Sequence, residues 1–343
     1  MEKQRFLGLD GLRGICAVSI VLYHCDNLFH PGPIFQHGYL AVDIFFLLSG
    51  FVIALAHEAR LTAGQGLGAF LAIRARRLLP VFWIGAAFNI AIFLGMAAGG
   101  YYPGYGWALV WIVIPLTTVL MLPAWGTGGE FSPPMMNVTW SLLVEWLVNI
   151  AYAALLFRWR TRSLAILAGT AWAAMAVTGY FTERGWCVGY QILPLGFLRG
   201  IAAFTAGVVI FRLHRAGRFA RLPPLSPELL LTLWLCIAVV PTLTATPTFD
   251  WIAVTLLSPA LVVLLLRAEP RAPGWFRPLG ELSYPLYVIH PGIILLAQKT
   301  PLFGLNQAPG QLRALGVFAL CLAAGWILAQ AVRPRPRLRT ATA

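Results

Sequence analysis

The stretch GLDGLRGICAVSIVLYHC, Gly8–Cys25, opens the first long apolar run of the chain, Gly8–Leu28. Two ionisable side chains, Arg13 and His24, stand in it eleven residues apart. At ~100° per helical residue, eleven steps bring them within ~20° of one face and ~16 Å apart along the axis. Asp10, three residues before Arg13, falls near the same stripe. Ionisable groups at membrane depth cost ~2.5–3.5 kcal/mol each on insertion scales, and they face a bundle interior or a wet cavity. One helix therefore carries a charge near one end and a titratable base near the other. That layout points to chemistry conducted through a membrane.

The rest of the chain agrees. Of 343 residues, 59% are hydrophobic and 11% charged, and the mean hydropathy is +0.77. Apolar runs of roughly 17–22 residues recur, each long enough to cross ~30 Å of hydrocarbon. The fold class expected is all-α, a polytopic membrane helix bundle. Residues 1–343 read as a single integral-membrane domain, with no polar stretch long enough for an appended soluble domain. The net charge of +13 marks cytoplasmic loops in such a protein and gives no reason to invoke nucleic acid. The five cysteines show no metal-ligand spacing, so no metal is expected. Cys25 and Cys187 both fall toward the outer face, but two cysteines set no framework. The N-terminal run holds Arg13 and His24 and is followed by no clear small-residue cleavage site, so it reads as a retained span.

Eleven apolar runs lie near 8–28, 38–56, 78–97, 107–122, 141–157, 164–181, 190–211, 228–243, 251–267, 283–298 and 312–332. If 107–122 does not cross and the N-terminus is cytoplasmic, 21 of the 25 Lys and Arg residues fall inside. If it does cross, every later arginine cluster changes side. The positive-inside bias chooses the first arrangement: about ten transmembrane helices, both termini cytoplasmic, and a short basic tail at 333–343. The run 107–122 becomes an outer-face re-entrant or interfacial segment, in keeping with Pro115 in its middle and Pro123 at its end.

Depths follow from that orientation. Arg13 lies near the inner end of the first span and His24 toward the outer end. On the fourth span Ser141, Glu145 and Asn149 recur every four residues as one polar stripe, with Glu145 expected at the depth of His24. An opposing carboxylate would orient the imidazole as in a base–orienter pair; a structural pair locking two helices is the plainer account. In Gly38–Ala54, Asp43 is a buried carboxylate in need of a partner, whereas Ser49-Gly50 fits close helix approach as well as any catalytic part. Arg74 and Arg77, before Pro80, read either as an ordinary basic flank or as a clamp for a phosphate-bearing ligand. Ser283, Tyr287 and His290 share a face of the ninth span, as site wall or as packing. Arg199 on the sixth span should pair with Asp43 or Glu145, or meet an anionic ligand.

Five motifs in this order resemble the acyltransferase-3 family of membrane acyltransferases, whose best-known members O-acetylate bacterial surface polysaccharides. They are Arg13-x10-His24, GYLAVDIFFLLSGF, Arg74-x-x-Arg77-x-x-Pro80, Trp140-Ser-Leu-Leu-Val-Glu145 and Leu282-Ser-Tyr-Pro-Leu-Tyr-Val-Ile-His290. The resemblance implies transfer of an acyl group, acetyl by default, from cytoplasmic acyl-CoA to a hydroxyl of a carbohydrate or glycolipid acceptor outside. It implies His24 as general base with Glu145 as partner. Arg13, Arg74 and Arg77 would engage the donor's phosphates; from the helix faces themselves, Asp10, Asp43, Ser141, Arg199, Tyr287 and His290 read as supporting wall. Acetyl-CoA would be a co-substrate, with no permanently bound cofactor, and the protein would sit among the lipids of a bacterial inner membrane. The rival is a transporter or flippase using His24, Glu145 and Asp43 as a polar path; no convincing internal repeat supports it.

Overall fold

A computed structural model describes residues 6–29, 35–124, 126–127, 136, 138–182, 193–239, 247–268, 270, 273–300 and 309–333. Among them the regular structure is entirely helical, and every apolar run expected from the sequence folds as a helix. In chain order the helices are α1 (Leu7–Phe29), α2 (Ala41–Thr62), α3 (Leu67–Ala98), α4 (Ile114–Val119), α5 (Thr139–Ala154) and α6 (Thr161–Thr182). They continue with α7 (Leu193–Arg215), α8 (Pro227–Val239), α9 (Pro247–Ile252), α10 (Ser258–Leu265), α11 (Phe276–Lys299) and α12 (Gly310–Ala331). A π-type turn, Ala253–Leu257, joins α9 to α10 as one rod. Among the described residues, seven helical segments are long and apolar enough to cross a membrane: α1, α2, α3, α7, the α9–α10 rod, α11 and α12.

The segment expected not to cross is distinct in shape. A π-type turn at Leu109–Val113 runs directly into α4, so Pro115 sits inside one continuous helical segment and removes one of its backbone N–H donors next to the π-type turn. The apolar helix Leu109–Val119 is ~16 Å long at ~1.5 Å per residue, about half the hydrocarbon thickness. Cys187 lies outside the described residues, as does any pairing with Cys25.

Packing is inverted relative to a water-soluble protein. Trp83, Trp107, Ile166 and Ile327 are exposed, whereas Asp43, Asn89, Arg199 and His290 are buried. Large apolar side chains thus cover the outside as well as the core, and several ionisable groups are buried in the bundle, as a lipid solvent demands. Helix α11 is the centre, 78% of its apolar window buried, against 28% for α3 and α12. It packs on α1, α12 and α3, while α2 packs on α7 and α7 on α6. Glycines permit several of these close approaches, Gly14 and Gly50 among them. A Cβ at Gly14 would collide with Leu279 of α11, and one at Gly50 with the Phe204 backbone of α7.

One boundary departs from expectation. The third apolar run begins near residue 78, but α3 starts at Leu67 and carries Pro80 inside it. Arg74 and Arg77 therefore stand on the helix itself, one turn apart, rather than on a loop at its mouth.

Candidate active site

Parallel packing of α1 and α11 sets the site's axis. Arg13 Nη2 donates to Ser283 Oγ at 3.3 Å, and further along both helices His24 meets His290, ring nitrogens 3.0 Å apart. The Arg13–His24 stripe thus faces the Ser283–Tyr287–His290 stripe.

Beside the Arg13 end lies a cavity of about 200 Å3, lined in part by Arg13, Arg74, Arg77, Ser49, Glu145 and Tyr287. A second, of about 510 Å3, shares Arg13, Arg77 and Tyr284 with it and adds Asp10, Arg277 and Arg333. The two form a basic approach narrowing into the bundle. Arg277 and Arg333 both pair with Glu281, and Arg13 stands 3.9 Å from Asp10.

Arg74 is the buried cation of this approach. Its Nη2 donates to Glu145 Oε1 at 3.1 Å, and the same oxygen accepts from Ser49 Oγ at 2.5 Å and Asn149 Nδ2 at 2.9 Å. Arg74 Nε is buried without a hydrogen-bond partner among the described residues. A carboxylate holding a guanidinium by one edge leaves the fork's other donors for an anion.

At the far side, Ser141 Oγ donates to the Val138 carbonyl at 2.8 Å. The Tyr287 hydroxyl, 2.7 Å away, therefore donates to Ser141. The Tyr287 ring centre is 5.9 Å from that of His290, so the cavity wall ends one layer from the histidine pair.

The expected His24–Glu145 pair is not formed. Ser49, Asn149 and Arg74 draw the carboxylate into the cavity, and His290 takes the place beside His24. The lone charges Asp43 and Arg199 do pair: Arg199 Nε lies 3.0 Å from both Asp43 oxygens, and its Nη2 donates to the Tyr39 carbonyl at 2.9 Å. Both are 1% exposed, and the clamp ties α2 to α7 outside the cavity lining. Tyr284 is a cavity residue that sequence reading missed; within LSYPLY only its two neighbours at helical spacing were singled out. A further cluster went unseen, in which the Tyr39 hydroxyl donates to Asp250 at 2.5 Å and His37 Nδ1 lies 3.2 Å from the same carboxyl. More than 200 residues separate those partners, so no local pattern announces them.

The described residues form an all-helical bundle with helices long and apolar enough to cross a membrane, a cavity lined by three arginines and, one layer from its Tyr287 wall, a histidine pair. The family profile described as "Acyltransferase domain" matches residues 6–330, and the chain belongs to that acyltransferase-3 family. The chain is 29% identical over 335 residues to "Exopolysaccharide production protein ExoZ" of Rhizobium meliloti (strain 1021), covering 92% of this chain and 97% of that one. "Protein 2 in picA locus" of Rhizobium radiobacter is 36% identical over 177 residues, 47% of this chain and 85% of its own length. A Staphylococcus aureus (strain COL) protein bearing an O-acetyltransferase name is 39% identical over 82 residues, 23% of this chain and 13% of its own. No solved structure matches. The protein is a membrane O-acyltransferase.

Proposed function

We propose that the protein moves an acyl group, acetyl by default, from acyl-CoA held at the inner face to a hydroxyl of a carbohydrate or glycolipid outside. In this reading the bundle crosses ten times in a bacterial inner membrane, with both termini cytoplasmic. The helices α5, α6 and α8 complete the count, and the 109–119 segment packs on the outer side. The observation that carries the reading is the arrangement of three arginines, Arg13, Arg74 and Arg77, around one cavity whose wall residue Tyr287 neighbours His290.

The CoA head group is too anionic to enter hydrocarbon, and guanidinium forks match its phosphates. Arg13, Arg74 and Arg77 hold it at the inner mouth, with Glu145 positioning Arg74. The thin thioester arm then follows the Arg13–His24 stripe for ~16 Å. At its end His24 takes the proton of the acceptor hydroxyl, and the freed oxygen attacks the thioester carbonyl. The C–S bond breaks, and the leaving thiolate recovers the proton from His24. A histidine base contributes ~10²–10⁴ in rate.

Vesicles holding purified protein, [14C]acetyl-CoA and polysaccharide extracted from the producing cells test this. Arg74→Ala and Arg77→Ala should raise the donor KM by ~10-fold or more, and acetyl should appear on the polysaccharide as an ester. Unchanged donor KM in both variants would remove the arginine clamp from the account.

A further inference from the structure

A general base needs one imidazole nitrogen kept free of its proton, and the device that keeps it free lies on α11. His290 is 0% exposed, whereas His24 is half-buried. His290 Nδ1 stands 3.1 Å from the Leu286 carbonyl oxygen. The neighbouring Tyr287 carbonyl lacks its helical N–H donor, because residue 291 is proline. Carbonyls only accept, so Nδ1 carries the ring proton of His290 and Nε2 holds a lone pair. That lone pair faces His24 Nδ1 at 3.0 Å, and His24 Nδ1 must therefore be the donor. The other nitrogen of His24, Nε2, is left as proton acceptor.

Ring geometry agrees with this assignment. The two ring centres are 5.2 Å apart and their planes differ by 17°. Rings stacked face to face would sit about 3.5–4 Å apart. An imidazole nitrogen lies about 1.1 Å from its ring centre, so with the nitrogens 3.0 Å apart both centres and both nitrogens fall nearly in line. The rings meet edge to edge in nearly one plane, the plane in which an imidazole N–H and lone pair point.

We propose that His290 is a positioning residue: through the series Leu286 carbonyl, His290, His24, it holds His24 in the Nδ1–H form and presents Nε2 to the acceptor hydroxyl. This rests on the reading of His24 as base. When the hydroxyl proton arrives at His24 Nε2, the imidazolium's Nδ1–H still donates to His290, which stabilises the charge. No proton passes to His290, and the one taken up leaves with the thiolate.

Three substitutions test it in vesicles with acetyl-CoA and polysaccharide from the producing cells, reading CoA thiol released. His290→Gln sets an amide oxygen near the place of Nε2, where it accepts from His24. His290→Asn is one carbon shorter and reaches toward the Leu286 carbonyl but not His24, and His290→Leu offers no acceptor. The glutamine variant should keep kcat within ~10-fold, while asparagine and leucine lose ~100-fold or more, with donor KM unchanged in all three. Equal losses for glutamine and asparagine, or full activity in asparagine, would overturn the proposal. If the leucine variant does not fold, the comparison of the other two decides alone. His24→Ala, run alongside, separates the claims: an active His24→Ala sinks the base reading and with it this one. An inactive His24→Ala beside an active His290→Asn sinks the role of His290 only.

Discussion

Arg74 reaches its cavity already held by Glu145, and that pairing decides how a ligand would meet it. A long arginine side chain loses less freedom on binding an anion when one edge is fixed beforehand. Glu145→Gln keeps an oxygen for Ser49 and Asn149 but removes the charge that fixes the guanidinium. It should raise the donor KM several-fold while the protein still folds, as read by initial rates across acyl-CoA concentrations. A kcat loss of ~100-fold at unchanged KM would instead return Glu145 to direct chemistry. Ser141, Glu145 and Asn149 were legible in the sequence as a polar stripe because helical spacing is local. Which partner each would take was not, because Ser49 and Arg74 come from helices whose rotation no local pattern reveals.

At the scale of the helix, the Asp43–Arg199 clamp joins α2 to α7 near the point where Gly50 lets the backbones approach. Removing one member of a buried pair strands the other charge and costs ~3–5 kcal/mol, whereas replacing both with apolar groups of similar volume costs far less. Arg199→Leu and Asp43→Leu should each lower the midpoint of unfolding in detergent, and the double variant should recover much of the loss. Additive losses in the double would remove the clamp from the account. Gly14→Leu should disrupt the α1–α11 contact and reduce activity and stability together, measured on the same preparations, since Leu279 would have to move. The sequence showed both charges as costly and named Asp43 among the partners of Arg199. It placed the third helix too late, because a hydropathy run ends at the arginines and the hydrogen-bonded helix does not.

Over the whole molecule, the proposed ten-span topology puts 21 of the 25 basic residues on one side of the membrane. Single cysteines near Arg160 and Arg218 should react with a membrane-impermeant thiol reagent only in inverted vesicles; labelling of both in intact cells would reverse the proposed orientation. The bundle and its family were readable because composition and motif order survive without coordinates. The histidine pair was not, since 266 residues separate its members. The most direct test of the central claim is ester-linked acetyl transferred from [14C]acetyl-CoA to polysaccharide by purified protein in vesicles, wild type against His24→Ala. Transfer should be robust with the first and absent with the second. Full transfer by His24→Ala would contradict the claim.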